Sequence, residues 1–449
     1  MKKWFAFLLG FSVVLVIVAC EKTAVSALDE ELKDAMSKTV SSGDIRDYLL
    51  PDGSDYSKIP NQDAKNPINS FKVALGKMLF YETGIGLVGH DGALKQTYSC
   101  SSCHIPSMGF TPGRFQGIAD GAVGFGDHGE GRHKSELYLG EEVDAQGARP
   151  LTMHNLAYVT NTLWSGTFGS FGTNVGTEHA WSSEDTLVQI NFLGLEGLEA
   201  NNFRALQVHR QLVNRQITDS LGYTALFDAA FPDIPHSERY SLKTTAFAIA
   251  AYFRTILTNK APFQEWIKGD ASAMTEQQKR GAIVFFTKGH CTNCHQGPAL
   301  NAMRYEAVGV NDLYESGHEV FRTGPNDKRN LGRGGFTKDP RDYYKFKVPQ
   351  LYNLKHTQFY FHGSSKTSLE EVVDYFDAAV PENPRVPVEQ LSPVFRPLYL
   401  SAQEKADLVE FLRNGLYDPF IERYVPSSVM SGNCFPNNDH DSKRDLGCN

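Results

Sequence analysis

Tyr98-Ser-Cys-Ser-Ser-Cys-His104 is the stretch on which the fold turns, because a second copy of its core, Cys291-Thr-Asn-Cys-His295, lies further along the chain. C-x-x-C-H is the attachment sequence for c-type haem. Two thiols three residues apart on one turn reach both vinyl groups, and the next histidine offers its imidazole to iron. The alternatives fit less well. A redox dithiol has no need of histidine at that position in both copies, and a four-cysteine zinc ribbon would bring the two pairs far closer in sequence. Cys100, Cys103, Cys291 and Cys294 are therefore expected to carry two covalently bound haems, with His104 and His295 as iron ligands.

Working outward, "LGKMLFYETG" precedes the first motif and "RGAIVFFTKGH" the second, as in a duplicated haem domain. Amphipathic runs opened by capping boxes at Thr275-x-x-Gln278, Ser368-x-x-Glu371 and Ser401-x-x-Glu404 point to a mainly α fold: two cytochrome c-like haem domains in tandem, with few short strands. Val409, Phe411 and Leu412 fit one buried face, with Gly415 as the stop. The glycine-rich segment from Gly109 to Gly131 reads as a loop beside the first haem.

The N-terminus, Lys2-Lys3 followed by an apolar run to Ala19-Cys20, has the form of an export signal, and its Ile-Val-Ala-Cys ending resembles that of a lipoprotein. Cys20 is then the lipidated residue, and the chain is expected on the periplasmic side of a bacterial membrane, held by the anchor alone. In such an oxidising compartment Cys434 and Cys448, in a polar tail, are expected to pair as a disulfide. The division expected is signal peptide 1–19, tether 20–65, N-terminal haem domain 66–242, C-terminal haem domain 243–425 and disulfide-closed tail 426–449. A net charge of -8 gives no basic footprint for nucleic acid.

The segments "AIAAYFRTILTNKAPFQEWIKGD", "TEQQKRGAIVFFTKGHCTNCH" and "FKVPQLYNLKHTQFYFHGSSKTSLEEVVDYF" closely resemble the bacterial di-haem cytochrome c peroxidases, a family that includes the di-haem enzyme maturing methylamine dehydrogenase. The resemblance spans roughly residues 65 to 420. It implies reduction of hydrogen peroxide at the first haem, with electrons entering at the second from a small cytochrome c or cupredoxin. It also implies a distal pocket in which Gln189 stands ten residues before Glu199, the carboxylate expected to move the proton. Trp164 matches the tryptophan between the haems, with Trp181, in an insertion, as a competitor. His128, or else His133, matches a loop histidine that caps the first iron. Asn155 matches a ligand of a calcium ion between the haems. Family members are often homodimers. One departure stands out: where the family has Met or Tyr as sixth ligand of the second haem, this chain has Phe361, leaving Tyr360, His362, Met303 or an open site. Two other readings stay in play, a peroxide-driven oxidase acting on Trp or Tyr of a partner protein and a non-enzymatic electron carrier.

Overall fold

A computed structural model describes residues 26–182 and 186–448. The expected lipidation site, Cys20, lies outside the described residues. Of thirteen α-helices among the described residues, eight are labelled here: α1 Ala27–Ser37, α2 Ser70–Tyr81, α3 Gly197–Val208, α4 Leu242–Thr255, α5 Glu276–Phe286, α6 Leu369–Ala378, α7 Ala402–Glu410 and α8 His440–Leu446. Strands are short and paired antiparallel, β1 Ala122–Val123 with β2 His133–Lys134 and β3 Ala302–Glu306 with β4 Phe346–Val348. Among the described residues no helix is long and apolar enough to cross a membrane.

Two apolar cores form around equivalent helix crossings. In the first, α2 crosses α4 at Gly76, where a Cβ would stand 1.9 Å from the Ala248 carbonyl oxygen. In the second, α5 crosses α7 at Gly281, where a Cβ would stand 1.9 Å from the Asp407 carbonyl oxygen. Each glycine lets two backbones touch, a contact no side chain permits. Helices α2 and α5 each precede a turn that opens a C-x-x-C pair, Cys100–Ser102 and Cys291–Asn293. The capping boxes at Thr275 and Ser401 are formed, while Ser368 accepts from the Glu371 N–H.

Two of the expected boundaries move, and the tail packs back on the fold. Residues 26–65 are no tether: α1 opens with a complete capping box at Ser26, buries Leu32 and Met36 in the second core, and holds Asp29 against Lys279 at 2.7 Å and Trp266 Nε1 at 2.7 Å. Helix α4, expected to open the second domain, packs in the first core. Every residue from Thr244 to Thr255 is buried, which is the signature of a core helix packed on all sides. The tail, closed by the Cys434–Cys448 disulfide, returns to the first C-x-x-C motif, where the Asn438 N–H donates to the Thr97 carbonyl at 2.9 Å.

Candidate functional site

At each motif the histidine is oriented by the backbone that follows it. His104 Nδ1 donates to the Phe110 carbonyl at 3.1 Å, and His295 Nδ1 to the Leu300 carbonyl at 2.9 Å. A carbonyl only accepts, so Nδ1 carries the proton and Nε2 keeps its lone pair, the arrangement of a metal-ligating imidazole. Burial lowers both histidines to about 4, so they are neutral at neutral pH. The four thiols are unpaired, and burial raises Cys100, Cys103 and Cys291 to about 12 and Cys294 to about 11.

Cys100, Cys103 and His104 line one wall of a cavity of about 750 Å³, large enough for a porphyrin. Two buried polar atoms of cavity-lining residues, Asn202 Nδ2 and Gln211 Oε1, have no hydrogen-bond partner. A buried polar group left unpaired is costly, so the wall has capacity reserved for an occupant. The thiols, the imidazole and the volume together fit covalently bound haem.

Trp164 also lines this cavity. Its indole N–H donates to the Arg149 carbonyl at 2.7 Å, and its carbonyl accepts from the Lys347 N–H at 2.7 Å, fixing ring and backbone against β4. Beyond it lie Phe346 and His362, with ring centroids 6.5 and 6.2 Å from the indole and 3.5 Å from each other in a stack. His362 is locked from the far side by Asp312, 2.9 Å from its Nε2. Trp181 sits one layer back, packed on Ala180, Val188 and Phe336, all three of which line the cavity.

The structure separates Glu199 from this wall. Leu198, Asn201, Asn202 and Ala205 of α3 line the cavity, whereas the Glu199 carboxylate is spent on Arg254 of α4, at 2.5 and 2.8 Å, and accepts from Asn66 Nδ2 at 2.8 Å. Both carboxylate oxygens thus have partners on α4 or in the 61–66 segment. Gln189 is exposed on a 3-10 turn and does not line the cavity either. His128 is exposed, 3.4 Å from Ser107 Oγ, and His133 is turned to the Gly131 carbonyl, so neither caps the site. The glycine loop that carries His128 is anchored by the tail, through the Gly124 N–H to Asp439 and the Gly126 N–H to Asp445.

Phe361, at the position where the family has Met or Tyr, takes a positive φ of 64° and packs its ring on Tyr375 and Phe376. The Tyr360 hydroxyl donates to the Thr357 carbonyl, and Met303 packs against the first core. Asn155 has its side chain bound at both ends to Thr258: Nδ2 donates to Oγ1 at 2.7 Å and Oδ1 accepts from the backbone N–H at 3.0 Å. A group missed by sequence reasoning also lines the cavity, the pair His209 and Asp144, with Nδ1 to Oδ2 at 2.8 Å. Its members stand 65 residues apart, and no local pattern announces them.

A sequence model described as di-haem cytochrome c peroxidase matches residues 70–272. The cytochrome-c peroxidase IdrP1 of Pseudomonas sp. is 28% identical over 365 residues, 77% of this chain and 81% of that protein. The methylamine utilization protein MauG of Methylorubrum extorquens is 27% identical over 363 residues, 80% and 82% of the two chains. Among solved structures, a MauG-like protein associated with microbial copper homeostasis superposes with a TM-score of 0.55 at 24% identity, covering 84% of this chain and 96% of that one, a likeness of fold.

Proposed function

Because this chain belongs to the di-haem cytochrome c peroxidase family, we propose that it holds two covalent haems in tandem cytochrome c-like domains and reduces hydrogen peroxide to water with electrons from a small cytochrome c or cupredoxin. The observation that carries this reading is the cavity: two thiols and a lone-pair imidazole line it together with Trp164, whose indole meets the stacked rings of Phe346 and His362. When bound, the haems supply the iron at which peroxide is reduced and hold the electrons in transit.

The chain's own contribution is attachment, orientation and a path. His104 and His295 present Nε2 because their Nδ1 protons are held by carbonyls. Trp164 is fixed at its N–H and its carbonyl, so its ring stays edge-on to His362 while electrons pass between sites. Asn155 is held at both ends of its side chain by Thr258, its Oδ1 keeps a second lone pair, and the calcium ion that the resemblance implies there remains part of the proposal with no step drawn through it. Export and lipidation at Cys20 remain part of the proposal on the strength of the N-terminal sequence.

The test is steady-state peroxide consumption with a reduced small cytochrome c as donor. Rapid turnover is expected. Cytochrome oxidation without peroxide consumption would identify an electron carrier instead. Slow turnover that accelerates only when a partner protein's Trp or Tyr is oxidised would favour the protein-oxidising reading, the one that a second site with Phe361 in place of Met invites. Trp164→Phe is expected to slow electron transfer between the sites at least about tenfold, equivalent to about 1.4 kcal/mol of barrier, in stopped-flow traces of the half-reduced protein.

A further inference from the structure

Three lysines are buried among the described residues: Lys72, Lys279 and Lys347. Two of them have partners. Lys72 Nζ donates to the Pro67 carbonyl at 2.9 Å, and Lys279 Nζ meets Asp29 at 2.7 Å and the Ala271 carbonyl at 2.8 Å. Lys347 is different: it is 3% exposed, and burial lowers its pKa to about 7 with no hydrogen bond or opposite charge to offset that shift.

Strand β4 puts this amine where it is. Successive residues of a strand face opposite ways, so with Phe346 stacked on His362, Lys347 turns to the other face, and it lines the cavity of the first motif. Its backbone N–H donates to the Trp164 carbonyl at 2.7 Å, which fixes the point from which the side chain extends. The rest of the lining supplies no counter-charge. Asp144 is the acidic residue there, and its carboxylate is taken by His209. Arg149, a second buried cation on the lining, gives its guanidinium to the Arg114 and Pro112 carbonyls at 2.6 and 3.0 Å and to no carboxylate among the described residues. An ammonium held out of water without a partner is costly, and a neutral amine there still forfeits its hydrogen bonds. The negative charge has to arrive with the occupant, and haem brings two propionate carboxylates.

We infer that Lys347 anchors a propionate of the first haem, its ammonium donating to the carboxylate. The inference rests on the reading that haem is attached at Cys100 and Cys103. Lys347 is then a positioning residue. It restrains the orientation of a ring already tied at two thioethers and one iron bond, and its positive charge favours the ferrous over the ferric state of that haem.

Redox titration of the haem-loaded protein, followed optically, tests this. Lys347→Met keeps the length of the side chain and removes its charge. The ratio of reduced to oxidised first haem at a fixed potential is expected to fall about tenfold, a midpoint lower by about 59 mV for one electron, while Lys347→Arg stays near wild type. In protein whose haem carries carbon-13 at the carboxyls, a carboxylate band in the reduction-induced infrared difference spectrum should move in Lys347→Met. In Cys100→Ala combined with Cys103→Ala, which leaves haem at the second motif alone, Lys347→Met should leave the remaining midpoint in place.

Unchanged redox midpoints together with a raised melting temperature in Lys347→Met would overturn the inference, because deleting an unpaired buried charge stabilises a fold. A midpoint that falls while the carboxylate band stays in place would overturn it too, since the charge would then act without contact. A fall in the variant that keeps only the second haem would put the amine at the wrong haem, with the same result. A mass spectrum of the 98–104 peptide without haem would defeat the attachment reading itself, and the inference with it.

Discussion

Glu199→Gln is expected to destabilise the protein by about 3–5 kcal/mol, the usual result of removing one partner from a buried ion pair. Glu199 is fully buried, Arg254 is 1% exposed, and two parallel N–H···O contacts join them. Asn66 donates to the same carboxylate and Arg254 Nε to the Asn61 carbonyl, so the pair ties α3, α4 and the 61–66 segment at one point. Glutamine keeps the size and removes the charge, leaving a guanidinium in the core without its counter-ion. Guanidinium chloride unfolding followed by far-UV circular dichroism measures the loss, and Glu199→Leu with Arg254→Met should recover much of it. A variant as stable as wild type but without turnover would mean that the carboxylate serves the chemistry rather than the fold.

How much of this was legible in the sequence depended on whether the signal was local. The haem motifs were, because thioether chemistry imposes a spacing that no fold can alter. The capping boxes before α5 and α7 were too, since four residues contain both partners. Residues 26–65 misled through their polar composition, although Ser26 before Leu32, Ala35 and Met36 is a capped helix with an apolar stripe. Helix α4 was visible but assigned to the wrong core, because a helix buried all round carries no record of which neighbour covers it. The direction of the Glu199 carboxylate depends on Arg254, 55 residues away, and His209 on Asp144, 65 residues away. The resemblance supplied residue types for the distal site but not which cavity wall each side chain faces.

The tail lies outside the resemblance, yet it grips the part of the fold on which the first haem depends. Breaking the Cys434–Cys448 disulfide by paired Cys→Ser replacement is expected to cost about 3 kcal/mol, the chain-entropy value for a loop of this length, with a sequence separation of 14. The consequence should extend to the motif. Ser99 Oγ donates to the Pro436 carbonyl at 2.9 Å, Ser102 bonds Asn437, and the Asn438 N–H donates to the Thr97 carbonyl. From the same tail Asp439 accepts from the Gly124 N–H at 3.0 Å, and Asp445 from the Phe125 N–H at 3.0 Å and the Gly126 N–H at 2.9 Å. One covalent closure thus holds the C-x-x-C turn and the glycine loop in register. Hydrogen exchange should accelerate at residues 97–102 and 122–126 in the cysteine-free variant, while residues 276–295 around the second motif keep their protection. Equal protection at both motifs would mean that the tail merely rests on the first. Selective loss at the first would show that a segment without haem chemistry of its own sets how rigidly the first haem-attachment motif is held.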